Sequence, residues 1–211
     1  MNLGLQQFPT EGFWLHRFTN EELAPLREAV NLVQSDFSKA DLSQDKLAGQ
    51  IKHEYTLDEN TRAYLDYLIS PEVREYDASI GYMNKYCTVL SDNRRLMIER
   101  AWVNFQQQGE YNPTHKHSGV FSFVIWLQVP YYIDEEQDKS PGKNSNHPIS
   151  GNFEFIYTSV FGQTRSYPIP VDKGFENYMV IFPASMTHSV YPFCSSDQFR
   201  ISVSGNFVFQ V

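Results

Sequence analysis

Cysteine is scarce in this chain: there are two, Cys87 and Cys194. That excludes a disulfide scaffold, and the absence of paired Cys/Cys or Cys/His spacings excludes a structural zinc knuckle. Two free thiols in a reducing compartment are expected. Long hydrophobic runs are missing too; no stretch approaches the ~20 apolar residues of a membrane-spanning helix. Met1-Asn2-Leu3-Gly4-Leu5-Gln6-Gln7 contains no basic segment leading into an apolar one. The expectation is a soluble, cytoplasmic protein with no membrane partner. Positive charge is in deficit, with 17 Lys and Arg against 25 Asp and Glu and a formal net charge of −8. Such a balance opposes non-specific attraction to nucleic acid, so free nucleic acid is not an expected partner. Internal repeats and a second-domain boundary are also lacking, and residues 1–211 read as a single domain.

Aromatic residues are abundant, 16 Phe, 13 Tyr and 3 Trp, which favours a β-rich interior. The first part, about residues 1–99, nevertheless reads as helical support. Thr19-Asn20-Glu21-Glu22 supplies a helix start, and Leu23, Leu26, Val30 and Val33 recur at helical spacing. A second helix is expected from Leu57-Asp58 with Ala63, Tyr64, Tyr67 and Leu68. Ser70-Pro71-Glu72 reads as a stop followed by a third helix, from about Pro71 to Tyr86.

The texture changes near Arg100. From there to the end, strands are expected at 101–105, 120–129, 152–157, 178–182, 189–193 and 199–209. Short strands between turn residues argue for an antiparallel sandwich or barrel. The polar stretch from Asp134 to Ser150 reads as a mobile surface loop, a candidate lid. In the last strand Phe199, Ile201 and Val203 fall on one face and Arg200, Ser202 and Ser204 on the other. His188 upstream favours turning that polar face inward.

The chemistry concentrates in Asn112-Pro113-Thr114-His115-Lys116-His117, then His188, then Arg200-Ile201-Ser202. Residues two apart on a strand point the same way, so His115 and His117 can present nitrogens to one ion. Pro113 encourages the extended conformation this needs. His188 from a separate strand completes a facial set of three that leaves coordination positions open. Imidazoles alone do not name the metal, since iron, zinc, copper and nickel all accept them. A guanidinium grips a carboxylate in bidentate fashion, and Ser202 beside Arg200 adds a hydroxyl. Together they suit the far carboxylate of a diacid that chelates the metal at its other end. His16, His53 and His147 read as ordinary histidines.

These residues resemble the Fe(II)- and 2-oxoglutarate-dependent oxygenase superfamily, whose pattern is His-x-Asp/Glu, a distant His, and an Arg often written Arg-x-Ser. The surroundings resemble a subgroup common in phages and marine bacteria. They carry Trp102-Val103-Asn104, Tyr111-Asn112-Pro113-Thr114-His115-Lys116-His117, Leu127-Gln128-Val129-Pro130, Ile181-Phe182-Pro183 and Arg200-Ile201-Ser202 in that order. The resemblance spans about residues 100–209. It implies a mainly β (α+β) fold, a double-stranded β-helix (a jelly-roll, cupin-like barrel) flanked by N-terminal helices. It implies Fe(II), 2-oxoglutarate and O2 as cofactors, with His115, His117 and His188 as metal-binding catalytic residues. Arg200, Ser202 and Asn104 are the candidate co-substrate residues. For a phage protein the location implied is the host cytoplasm.

One departure stands out: His117 occupies the usual acid's place. Three neutral ligands are one reading. In a second, His117 is the first ligand and Gly119 stands where the acid would be, as in halogenases that seat a halide there. In a third, Glu110 contributes a carboxylate. The implied reaction is hydroxylation of an unactivated C–H bond in a protein residue or small molecule, with succinate and CO2 released. Trp102, Asn104 and Gln106 share a strand face and are pocket candidates, with Tyr111, Trp126 and the 134–150 loop shaping or covering the substrate site. Two competing classes remain open on sequence grounds: a cupin-like three-His metalloenzyme that does not use 2-oxoglutarate, and a non-enzymatic jelly-roll binding module.

Overall fold

The computed structural model describes residues 12–42, 48–87 and 95–210; the opening heptad read above lies outside them. The first helix, α1 (Asn20–Ser35), starts where the residue types require. Thr19 Oγ1 accepts from the Glu22 backbone N–H at 3.2 Å, and the Glu22 carboxylate accepts from the Thr19 N–H at 2.8 Å. Leu23, Leu26 and Val30 form its buried stripe. Helix α2 (Glu59–Ile80) begins at Asp58, which accepts from the Thr61 N–H at 2.8 Å. It ends at Gly81, whose φ of +63° gives the left-handed turn that separates it from the short α3 (Tyr82–Tyr86).

The expected break at Pro71 does not occur; α2 runs through it. The helix spends one internal hydrogen bond there. The carbonyl left over belongs to Tyr67, a residue that is 79% exposed. Leu65, Ile69, Val73 and Tyr76, on both sides of the proline, share one buried face, and that packing outweighs the local cost.

All sheet pairings are antiparallel. The strands are β1 (Trp14–Arg17), β2 (Glu54–Thr56), β3 (Leu96–Gln106), β4 (Asn112–His115), β5 (Phe121–Gln128), β6 (Phe153–Thr158), β7 (Thr164–Ile169), β8 (Tyr178–Pro183), β9 (Thr187–Val190) and β10 (Arg200–Phe209). The larger sheet has the order β1-β8-β5-β10-β3-β2, the smaller β4-β9-β6-β7. The strand expected at 189–193 is displaced to Thr187–Val190, because pairing ends at Val190 and Pro192 has no N–H to continue it. Strands β1, β2 and β7 were not expected, being short, polar or broken by proline, whereas β4 falls on the segment expected to be extended after Pro113.

Two apolar clusters explain the layering. One joins the buried faces of α1 and α2 to Val103, Phe105, Phe123, Ile125, Ile201 and Val203 on one face of the larger sheet. The other lies between the sheets, where Trp126, Val180 and Phe182 meet Phe153, Phe155 and Ile169. This is a double-stranded β-helix with helices packed outside it. Strand alternation then sends Trp102, Asn104 and Gln106 on β3, and Arg200, Ser202 and Ser204 on β10, into the space between the sheets. The polar face of the last strand looks inward, as expected.

The 134–150 segment is not a free lid. It opens with helix α4 (Ile133–Lys139), and the fully buried Glu136 anchors it. Glu136 accepts from the Cys194 N–H, the Ser195 N–H and the Ser150 hydroxyl at 2.8, 2.8 and 2.5 Å. Those hydrogen bonds hold its carboxylate below the usual value despite the opposing effect of burial.

Candidate metal centre

His115 and His188 are direct partners across the β4–β9 pair, so the sheet register itself places one imidazole beside the other. Their ring centres lie 4.2 Å apart. His117 follows just beyond β4, where its N–H bonds to the Ala184 carbonyl at 2.8 Å. Its ring lies 4.9 Å from that of His115 and 5.1 Å from that of His188. One ring nitrogen from each of the three lies within 4.8 Å of the other two.

The tautomers follow from the partners. His115 Nδ1 meets the Pro113 carbonyl at 2.6 Å, and His188 Nδ1 meets the Met186 carbonyl at 2.9 Å. A carbonyl only accepts, so Nδ1 carries the proton and Nε2 keeps its lone pair. Burial, reinforced by the neighbouring His115, depresses His117 to about 4. Burial holds His188 well below the usual value, with His115 next in effect. His115 is lowered by burial as well, against the opposing Pro113 contact. Three neutral imidazoles thus converge at neutral pH, and in His115 and His188 it is Nε2 that keeps its lone pair. This donor set fits a divalent transition metal.

Neither alternative ligand arrangement gains support. Glu110 has both oxygens engaged, by the Lys52 N–H at 3.1 Å and the Gln107 N–H at 2.8 Å, and it does not line the cavity. Gly119, at φ +106°, serves a close approach to β10: a Cβ there would stand 2.8 Å from the Phe207 carbonyl oxygen. It too is absent from the cavity wall.

Arg200 is 2% exposed. Its Nε and Nη2 donate to Gln106 Oε1 at 3.0 and 2.6 Å, and Nη2 also to the Tyr191 carbonyl at 2.9 Å. Nη1 donates to the Tyr131 hydroxyl at 2.6 Å and the Gly151 carbonyl at 2.8 Å. Every acceptor is neutral, and among the described residues no carboxylate pairs with this guanidinium. A buried, uncompensated cation is costly and calls for an anion. Beside it, Ser202 Oγ accepts from Asn104 Nδ2 at 3.3 Å, which leaves its own proton to donate. The site therefore fits a carboxylate at Arg200 and Ser202. Tyr131 and the Gly151 and Tyr191 carbonyls were not foreseen; contacts to main-chain oxygens leave no mark in a sequence.

His115, His117, His188, Asn104, Arg200 and Ser202 all line one cavity between the sheets, with Trp102, Gln106 and Trp126. The Trp102 ring lies 5.6 Å from His117. Trp126 is buried against Phe153 at 5.8 Å. Tyr111 is 43% exposed and stands outside the wall, as does all of 134–150. The expectation that these shape or cover the pocket is corrected; Ala48, Gly49, Ile51 and Glu54, ahead of and on β2, line the wall instead. The remaining histidines serve elsewhere: His16 pairs with Glu72 at 3.1 Å, His53 stacks on Phe37, and His147 lies 3.7 Å from Glu154.

Comparison with known proteins decides the family. A family model described as "Putative 2OG-Fe(II) oxygenase" matches residues 100–206, half of the chain. The chain belongs to this oxygenase family. Its cofactors are Fe(II), 2-oxoglutarate and O2, and the match leaves no ground for a jelly-roll module without activity or a metalloenzyme without 2-oxoglutarate. No curated protein matches the sequence.

Solved structures share the fold. A Pseudomonas putida prolyl-4-hydroxylase superposes with a TM-score of 0.55 at 13% identity, over 96% of this chain and 95% of that one. SnoN, a non-heme alpha-ketoglutarate-dependent epimerase from nogalamycin biosynthesis, gives 0.58 at 14% identity over 94% and 76%. HygX from Streptomyces hygroscopicus, solved with nickel, 2-oxoglutarate and hygromycin B, gives 0.56 at 10% identity over 94% and 83%. At these identities the likeness speaks for the fold.

Proposed function

We propose that His115, His117 and His188 hold the iron of this oxygenase, and that Arg200 and Ser202, with Asn104 positioning the serine, bind the far carboxylate of 2-oxoglutarate. The reaction we assign is hydroxylation of an unactivated C–H bond in a small molecule or protein residue. When bound, iron with 2-oxoglutarate and O2 supplies the oxidising chemistry: one oxygen atom enters the succinate formed as CO2 leaves, and the other enters the substrate.

The protein's own residues contribute orientation and charge. Pro113 and Met186 carbonyls fix two imidazoles with Nε2 inward. Arg200 sets one end of the diacid, and the walls of Trp102, Trp126 and Phe153 exclude water around it. For the carboxylate to reach Nε and Nη2 of Arg200, the Gln106 amide oxygen must leave that edge. The carrying observation is Arg200, a buried cation with only neutral acceptors, sharing one cavity with three neutral imidazoles. The test is anaerobic titration of the Fe(II) protein with 2-oxoglutarate. A visible metal-to-ligand charge-transfer band is expected, and His188→Ala and Arg200→Ala should abolish it. A wild-type protein that binds iron yet gives no band would refute the assignment.

A further inference from the structure

Glu54 has no role in that scheme, yet it lines the same cavity. It is 1% exposed, and both carboxylate oxygens lack a hydrogen-bond partner among the described residues. Two more acceptors on this wall are in the same condition, Asn104 Oδ1 and Asn112 Oδ1. Native proteins rarely bury unpartnered polar atoms, and four on one wall, all acceptors, point to a missing donor.

The register shows where that donor would sit. Ser202 faces Asn104 across β10–β3, and Asn104 faces Glu54 across β3–β2, so the three side chains form a row on the cavity face. The row starts at the co-substrate residues and ends at the edge strand. Asn104 turns its Nδ2 to Ser202, and its free oxygen completes the acceptor wall. Gly49 closes this end: a Cβ on it would stand 2.3 Å from Asn112 Oδ1 and 2.7 Å from Glu54 Oε1, so its backbone packs directly against these two side-chain oxygens. Glu54 is not a fourth ligand to the proposed metal, because it does not join the group in which every ligand atom lies within 4.8 Å of the others. A carboxylate here also repels the diacid, so 2-oxoglutarate is not its partner.

Resting on the reading above, we propose that Glu54, with Asn104 and Asn112, is the recognition site for the primary substrate, and that the substrate presents a protonated amine or a guanidinium to it. The source is a free amino compound or a basic side chain of a polypeptide; the chemistry is the same. An ammonium brings three donors and a guanidinium five, to a wall of four unpartnered acceptor oxygens. Burial, with the charge of Glu110 behind it, raises Glu54 to about 7. Among the described residues, the other charged or titratable groups lining the cavity are Arg200 and the three imidazoles. A cation arriving at Glu54 therefore displaces a proton.

The test titrates the ferrous, 2-oxoglutarate-loaded protein anaerobically with n-butylammonium and n-butylguanidinium, with n-butanol and butyrate as controls. Calorimetry in two buffers of different ionisation enthalpy counts released protons. The cations should bind saturably, release protons at pH 6 and bind more tightly at pH 8. Glu54→Gln should weaken them about ten-fold or more and leave the visible band in place. If that variant does not load, the pH dependence of the wild-type protein decides. Cations that bind no better than butanol, or bind both proteins alike, overturn the proposal. Glu54-dependent cation binding without a visible band sinks the co-substrate assignment and leaves the cation site standing. A blocked Gly-Lys-Gly peptide against free L-lysine separates the sources: tighter binding by the peptide assigns a polypeptide substrate, tighter binding by the amino acid a small one.

Discussion

At the scale of single residues, Arg200 and Glu54 are mirror cases, a buried cation and a buried acid that both lack an opposite charge. Gln106 occupies with a neutral oxygen the edge of Arg200 where an anion belongs. Gln106→Glu should therefore supply the carboxylate internally. The expected result is a 2-oxoglutarate Kd raised about ten-fold or more, read by the charge-transfer band, since each ~1.4 kcal/mol is a factor of ten. Unchanged affinity would mean that the co-substrate binds elsewhere. Glu54 makes a second, independent prediction about stability. Its pKa is about 7 folded against 4.5 as a free side chain, so the folded state holds the extra proton between those values. Its contribution is fully present below about pH 4.5 and is lost as pH rises through 7. The Tm advantage of Glu54→Gln over wild type should accordingly grow from pH 5 to pH 8. A difference that is flat or shrinks over that range would show that the carboxyl is not buried in its neutral form.

At the scale of elements, register is what converts scattered letters into a site. The alternation of β3 and β10 was legible, because the apolar Val103, Phe105, Ile201 and Val203 alternate with Asn104, Gln106, Arg200 and Ser202, and it placed those four polar residues on the cavity face. The three imidazoles were legible as well, since His115 and His117 sit two apart around an extended proline-led segment. Glu54 was not. It stands on a three-residue edge strand whose periodicity is too short to read, and its meaning arises only from Asn104 and Asn112 across space. Pro71 misled in the opposite direction, because a buried face spanning the proline overrode a local stop signal. The 134–150 segment misled through composition: its polar residues suggested mobility, but one of them, Glu136, is its anchor. Glu136→Gln should expose that. Both oxygens accept main-chain N–H groups, and an amide turns one of them into a second donor. The expected cost is about 2 kcal/mol, from the range for buried charge-assisted hydrogen bonds. Urea denaturation measures it, and a cost near zero would restore the idea of a free loop.

At the scale of the whole molecule, the cavity is a seam. His115 and His188 belong to strands β4 and β9 of the smaller sheet, while Asn104, Arg200 and Ser202 belong to β3 and β10 of the larger one. A metal on the imidazoles touches one sheet, and a diacid on Arg200 touches the other. Only a diacid chelating that metal fastens both. Thermal stability should therefore respond to the pair rather than to the parts. Mn(II), used as a redox-quiet divalent ion, should raise Tm by itself, since the imidazoles are already neutral and need shed no protons. 2-Oxoglutarate without metal should do little, because it must displace Gln106 and gains only one anchoring point. Together they should exceed the sum of the separate shifts. Ligand at about 100 times its Kd contributes about 2.7 kcal/mol, and a protein of this length moves roughly 2–4 °C per kcal/mol. EDTA should return the doubly loaded protein close to the shift of the diacid alone. If 2-oxoglutarate shifts Tm equally with and without metal, its two ends do not bridge the sheets, and the three imidazoles and the arginine are separate sites sharing one cavity.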